Sequence, residues 1–400
     1  MTRESFVPPE SIRRTLAAAE GSRMRTAGRI RQVRRLGGVE FAILSDGLDQ
    51  IQLVLEAPET RVRRGHLVEA EGLIREIASR KELLVADLVI VQMPDPDSAG
   101  ARATLEEVMD PRREEAQRMR VVATQVIHRF LAEESFAPIQ SPSLTGPWVK
   151  GETGSFKTSF GGAEAYLSIS NMLYHQMALA TRFHRVYELG KLHRDERPSS
   201  RRRLAEFTVL DIGQAWSDLD LLVALVERLI QEIHQELASL NNRFLRLPER
   251  VSFDRIAYTE LLAAVGAPAK AVRLPTQARR WLAKEFPGFV WVYGSPRSGR
   301  PFYMKADGET CNDVQLWFNA PFPLAAGGER ECCREQLERR LRDAEKDPSH
   351  FEFYLSALSL GAPPMCGIGM GLERFLAVLA CPADAADFSF FPRYAGRLDS

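Results

Sequence analysis

Apolar and polar positions change rhythm along this chain, and the changes mark its parts. Residues 25–33, 39–44, 50–55, 67–74 and 83–91 are short runs in which β-branched and other apolar side chains recur at period two, the rhythm of strands. Leu36-Gly37-Gly38 and Ser45-Asp46-Gly47 supply turn chemistry between them. Five such runs in about 70 residues predict a small closed barrel of the OB type over residues 1–92. Met93-Pro94-Asp95-Pro96-Asp97-Ser98-Ala99-Gly100 breaks every pattern, so residues 93–101 read as a linker.

Residues 102–400 mix helical and strand periods without a regular βαβ alternation, which predicts an α+β domain. Residues 114–134 carry helical spacing and lead into an extended segment ending at Pro142. Over residues 218–240, Leu219, Leu222, Val223, Val226, Leu229, Ile230, Ile233 and Leu237 form one apolar stripe, with Ser217 as the expected N-cap. Residues 329–346 read as a charged, solvated helix with i,i+4 pairs. Residues 185–212 read as a hairpin: a strand ending in Arg194-Asp195-Glu196, a basic loop, and a second strand presenting Phe207 and Asp211.

Composition narrows the function classes. Lys and Arg total 53 against 53 for Asp and Glu, so any nucleic-acid contact has to come from local patches. No run of about 18 apolar residues is present, which argues against a membrane role. The five cysteines form no CxxC pair; Cys332 and Cys333 fall in a helical pattern, and reduced thiols in a cytoplasmic protein are expected. The chemistry is concentrated in two places. Gly367-Ile368-Gly369-Met370-Gly371-Leu372-Glu373-Arg374 sets a guanidinium one turn into a helix after closely spaced glycines, an arrangement suited to phosphate. The hairpin adds a second guanidinium, carboxylates and an aromatic face, which together suit a nucleoside triphosphate.

These segments resemble class II aminoacyl-tRNA synthetases over nearly the whole chain. The helix and extended segment ending at Pro142 look like motif 1, the Arg194-to-Asp211 hairpin like motif 2, and Gly369-Met370-Gly371-Leu372-Glu373-Arg374 like motif 3. The leading barrel, with Arg202-Arg203-Leu204-Ala205-Glu206-Phe207 and Pro364-Met365-Cys366-Gly367, is similar to the aspartyl/asparaginyl branch, particularly its shorter archaeal-type members. The resemblance implies an antiparallel sheet flanked by helices, a homodimer formed through motif 1, and ATP and Mg2+ as cofactors. It gives Arg194 the α-phosphate, Glu196 and Phe207 the adenine, Arg202 the triphosphate, and Arg374 the γ-phosphate; Arg194 and Arg374 are the expected catalytic pair. Asp313 falls at a magnesium- and ATP-proximal acid. Asp211 would take the substrate α-amino group and Arg330, after Ala326-Gly327-Gly328, would read its side chain. Glu152, in a lid over residues 150–156, and Ser170, Met172 and His175 complete the expected amino-acid pocket. Phe41 and Gln52 match positions that stack on and hydrogen-bond the central uridine of a tRNA anticodon.

The chain departs from that pattern near the pocket. Pro323 stands where the family has a metal-binding glutamate, Met172 where it has glutamine, and His175 where aspartyl members carry lysine, while the lid is about two residues shorter. Leu204-Ala205-Glu206-Phe207 and Arg330-Glu331 lean asparaginyl, and Asp211 leans aspartyl. Three readings follow: a synthetase for an Asp- or Asn-like amino acid that charges tRNA, a paralogue that passes its adenylate to ammonia, an amine or a peptide, and a non-catalytic tRNA-binding or regulatory protein.

Overall fold

A computed structural model of the chain describes residues 8–56, 61–93, 107, 109–149, 154–195, 199–240, 242–269, 271–319 and 322–395. The chain divides into two compact units, Met1–Arg118 and Met119–Ser400. In the first, β1 (Arg23–Leu36), β2 (Val39–Ser45), β3 (Gln50–Glu56), β4 (Leu67–Ile77) and β5 (Arg80–Gln92) close into a barrel in the order β1-β2-β3-β5-β4. The strands coincide with the predicted runs and extend a few residues further. Alternation does much of the packing: Ile30, Ala42, Leu44, Ile51, Leu53, Val68 and Leu83 fill the interior, while Phe41, Ile43 and Gln52 between them are only half-buried.

In the second unit, β6 (Ala137–Pro138) precedes a three-stranded sheet of β7 (Leu144–Thr145), β8 (Lys157–Phe160) and β9 (Ala163–Leu167). β10 (Arg185–His193) and β11 (Glu206–Ala215) form the expected hairpin. β12 (Phe253–Ala257) and β13 (Phe289–Tyr293) follow, then the ribbon β14 (Ala306–Asp307) and β15 (Thr310–Cys311), then β16 (Asp313–Trp317), β17 (Ala325–Glu329) and β18 (Met365–Gly371). The main sheet runs β12-β13-β16-β17-β18-β11-β10-β6, antiparallel except at β12/β13 and at β10/β6. Mixed helices and a largely antiparallel sheet make the unit α+β, as predicted.

Two local expectations change. The helix Leu219–Ala238 buries its predicted stripe except the half-buried Leu219, and Leu225 as well, but its cap is Asp218, whose carboxylate accepts from Leu221 N–H at 2.9 Å; Ser217 instead donates to the Asp218 carbonyl. The charged helix is Arg334–Asp343, because Glu329 ends β17 and Arg330 bridges Met304, which leaves Cys332 before the helix and Cys333 at its cap. The closely spaced glycines before Arg374 form a strand, β18, that runs straight into the helix Leu372–Leu379. Motif 1's helix is Pro111–Glu133, with proline at the first helical position, where no amide is needed.

Candidate active site

A cavity of about 340 Å³ opens over β11, β17 and β18. At one end are two guanidiniums, each set against an aromatic ring. Arg194 follows β10, and its guanidinium lies 5.6 Å from the centre of the Phe207 ring on the neighbouring strand, a cation–π contact. Arg374, in the first turn of the helix Leu372–Leu379, lies 4.1 Å from the centre of the Phe322 ring. Both arginines, Phe207 and Arg202 line the cavity. Arg202 is 80% exposed and pairs with Asp384 at 3.0 Å.

At the other end, β11 and β18 pair with Asp211 opposite Gly369. A Cβ at position 369 would come within 2.6 Å of Asp211 Oδ1, and one at 367 within 2.7 Å of an Arg330 Nη, so the glycines make room for two charged side chains on the sheet face. Asp211 is 2% exposed, and its Oδ2 has no hydrogen-bond partner. Burial drives its pKa up to about 7, with the nearby Glu188 adding to the rise and His175, Arg330 and Arg194 opposing it. A buried carboxylate with an unsatisfied oxygen on a cavity wall is a receptor for a cationic hydrogen-bond donor. Arg330, equally buried, stacks its guanidinium 5.2 Å from the Tyr303 ring centre and sets one Nη 3.2 Å from Met172 Sδ. Thioether sulfur is a weak acceptor, so Met172 leaves that guanidinium available to a better one. Ser170 and Tyr303 line the same end.

His175 does not line the cavity. It lies 2% exposed behind the floor, with Nε2 3.1 Å from Glu188 Oε2, and Glu188 in turn accepts from the amide and hydroxyl of Ser141. That pairing engages Nε2 and leaves the buried Nδ1 without a hydrogen-bond partner, and the ring lies outside the cavity lining. Glu152 and Glu196 lie outside the described residues.

Asp313 lies on the cavity wall, where burial raises its pKa against the pull of Arg300 and Ser295. Its Oδ1 accepts from Ser295 N–H at 2.7 Å, and its Oδ2 sits 2.7 Å from Arg300 Nε. Pro323, which also lines the cavity, offers no side-chain oxygen. Among the described residues no group of three or more His, Cys, Asp or Glu side chains is placed to hold a metal. A divalent cation wants several free oxygen ligands, so the residues present do not fit the expected magnesium.

Sequence reasoning missed Tyr303, Arg300 and the role of Glu373. Tyr303 and Arg300 lie in Ser295-Pro296-Arg297-Ser298-Gly299-Arg300-Pro301-Phe302-Tyr303, whose Gly/Pro-rich composition reads as a loop. Glu373 faces inward from the first turn of its helix, accepting from Arg120 at 2.7 Å and from Thr208 N–H at 2.9 Å; Arg120 also reaches the Thr208 hydroxyl and the Phe388 carbonyl. This buried network joins the Arg374 helix to β11. Glu373→Ala leaves the Arg120 charge unpaired, and is expected to cost about 3–5 kcal/mol of stability, measured by denaturant unfolding. The cysteines are free thiols, and no described helix is long and apolar enough to cross a membrane.

On the barrel, Phe41 and Gln52 share the outer face, since Gln52 pairs with Ile43, two residues from Phe41 on the same side of β2. Gln52 donates to Glu82 at 2.8 Å.

Residues 101–395 match the family model for tRNA synthetases class II (D, K and N). The Aspartate–tRNA(Asp/Asn) ligase of Methanopyrus kandleri is 31% identical over 95% of this chain and 96% of its own length, and that of Archaeoglobus fulgidus is 25% identical over 95% and 97%. The fold is that of the asparaginyl-tRNA synthetase from Pyrococcus horikoshii complexed with asparaginyl-adenylate, with a TM-score of 0.83 at 23% identity, covering 99% of this chain and all of the other. The Entamoeba histolytica aspartyl tRNA synthetase gives 0.73 at 18%, covering 99% and 94%. The chain belongs to the class II tRNA synthetases of the D, K and N group, ATP-dependent ligases that form aminoacyl adenylates.

Proposed function

We propose that this chain activates an aspartate- or asparagine-like amino acid with ATP and transfers it to tRNA. The observation that carries the reading is the polarity of the cavity: an unsatisfied, buried Asp211 carboxylate and the Arg330 guanidinium at one end, and Arg194 and Arg374 at the other. An α-amino group on Asp211 and a side-chain carboxylate or amide on Arg330 would leave the substrate carboxylate pointing toward the phosphate end. There it attacks the α-phosphorus of ATP, the bond to the bridging oxygen breaks, and pyrophosphate leaves with the electron pair. The protein needs no covalent intermediate; it supplies position and fixed positive charge for the oxyanions of the transition state. Arg194 would hold the α-phosphate, Arg374 the γ-phosphate and Arg202 the outer phosphates, with adenine on Phe207 and Glu196, and Glu152 closing over the amino acid with Ser170 and Met172.

The closed barrel fits an OB-type anticodon reader over residues 1–92, joined through residues 93–101 to a catalytic domain over 102–400 that pairs with a second copy through motif 1. Phe41 and Gln52 are the proposed base contacts: strand side chains on an open barrel face are how such barrels stack and edge-read single-stranded RNA. The relatives, both ligases of tRNA by name, favour tRNA as acceptor, and nothing in the cavity favours ammonia, an amine, a peptide or a non-catalytic role. A cytoplasmic setting accords with the free thiols.

Amino-acid-dependent ATP–pyrophosphate exchange over a panel of amino acids, followed by charging of tRNA, tests the reading. Exchange confined to aspartate or asparagine, with acylated tRNA as product, is expected. Exchange without charging would refute the tRNA acceptor, and no exchange with any amino acid would refute the synthetase.

A further inference from the structure

The phosphate end of the cavity is built from guanidiniums, and one of them occupies ground where a metal ligand was expected. Arg194, Arg202, Arg300 and Arg374 all line it. Three described acids line the cavity: Glu373 is held by Arg120 and the Thr208 amide, Asp313 by Arg300 and the Ser295 amide, and Asp211 stands beside Arg330 as the proposed ammonium receptor. Arg300 is fixed from two sides. Its Nε contacts Asp313, one Nη donates to the Ser295 hydroxyl, and that hydroxyl also accepts from Gln315 Nε2 at 3.0 Å. The side chain nevertheless keeps 19% of its surface exposed and lines the cavity, as Pro323 does. A guanidinium held by a buried carboxylate is a preorganised, planar cation, the geometry that takes phosphate oxygens two at a time.

We propose that Arg300, locked onto Asp313, takes the place of a protein-bound divalent cation on the triphosphate, so that the chain binds ATP without offering a carboxylate ligand to a metal. The inference rests on the ATP reading above. Pro323 belongs with it: once the cation is a side chain, an acid at position 323 has no metal to bind, and a carboxylate there would compete with phosphate for Arg300.

The test uses the full-length wild-type protein in two binding measurements. Calorimetric titration with ATP is run once in EDTA and once in excess magnesium, and Mn2+ is titrated into nucleotide-free protein under electron paramagnetic resonance. The expected results are ATP affinities within about threefold of each other in the two buffers, and no protein-bound Mn2+ signal. ATP binding that appears only with magnesium, or stoichiometric Mn2+ binding by the nucleotide-free protein, overturns this inference and leaves the ATP reading standing; no ATP binding in either buffer overturns both. The double variant Arg300→Gln/Asp313→Asn replaces the ion pair with a neutral one of similar shape, which avoids stranding a buried charge. It is expected to lose at least about tenfold in ATP affinity in EDTA, and wild-type affinity in the folded double variant overturns the proposal.

Discussion

Arg374→Ala is expected to lower amino-acid-dependent ATP–pyrophosphate exchange by about two to three orders of magnitude, roughly 3–4 kcal/mol of transition-state stabilisation. The side chain is only half-buried and lies over the Phe322 ring, so its loss opens no cavity in the core, and the thermal midpoint should change little. Arg194→Ala is expected to act with similar size, because on the proposed reading each arginine would supply a fixed charge to phosphate oxygens that gain negative charge in the reaction. Arg374→Lys separates charge from shape: a point-like ammonium keeps the attraction and loses the planar fork, so an intermediate rate is expected. Near-normal exchange in Arg374→Ala, with the variant folded, would remove that residue from the phosphate site.

Much of this arrangement is legible in the chain itself, for identifiable reasons. The barrel strands declare themselves because period two and glycine turns are local signals, and the apolar stripe of Leu219–Ala238 does so because eight or more positions repeat one spacing. Arg194, Phe207, Asp211, Arg330 and Arg374 stand in short motifs whose order along the chain survives folding, and all five line the cavity. What is not legible depends on pairing between distant segments. The β18 glycines do not announce a strand, because glycine is a poor strand former; their place becomes intelligible only when Asp211 and Arg330 are seen to fill the space a Cβ would take. The motif puts His175 in the pocket, whereas in the fold its Nε2 pairs with Glu188 of β10 and the ring lies outside the cavity lining. Asp313 has the residue type of a metal ligand, and its contact with Arg300, thirteen positions earlier across the β14–β15 ribbon, changes its chemistry.

Asp211→Asn should produce the clearest opposition between stability and function. Without substrate, burial holds this carboxyl at about 7 against an ordinary 3.8. The folded state therefore binds more protons than the unfolded chain between those values, and stability falls as pH rises from about 4 to 7 and is flat beyond. Above pH 7 the accumulated cost is on the order of 4 kcal/mol. An asparagine of the same shape carries no such charge, so the variant is expected to unfold at a higher temperature than wild type at pH 8, with the difference vanishing toward pH 4. The same change replaces the carboxylate that would meet the substrate ammonium by a neutral amide, and the loss of a buried charge pair is worth about 2–5 kcal/mol. The Michaelis constant for the amino acid is therefore expected to rise by at least about thirtyfold, while that for ATP moves little. In wild type the constant should fall as pH rises through 7 and the carboxyl ionises, and in Asp211→Asn that pH dependence should disappear. A variant that is more stable yet keeps wild-type affinity for the amino acid would mean that Asp211 is a strained structural acid and that the ammonium is held elsewhere.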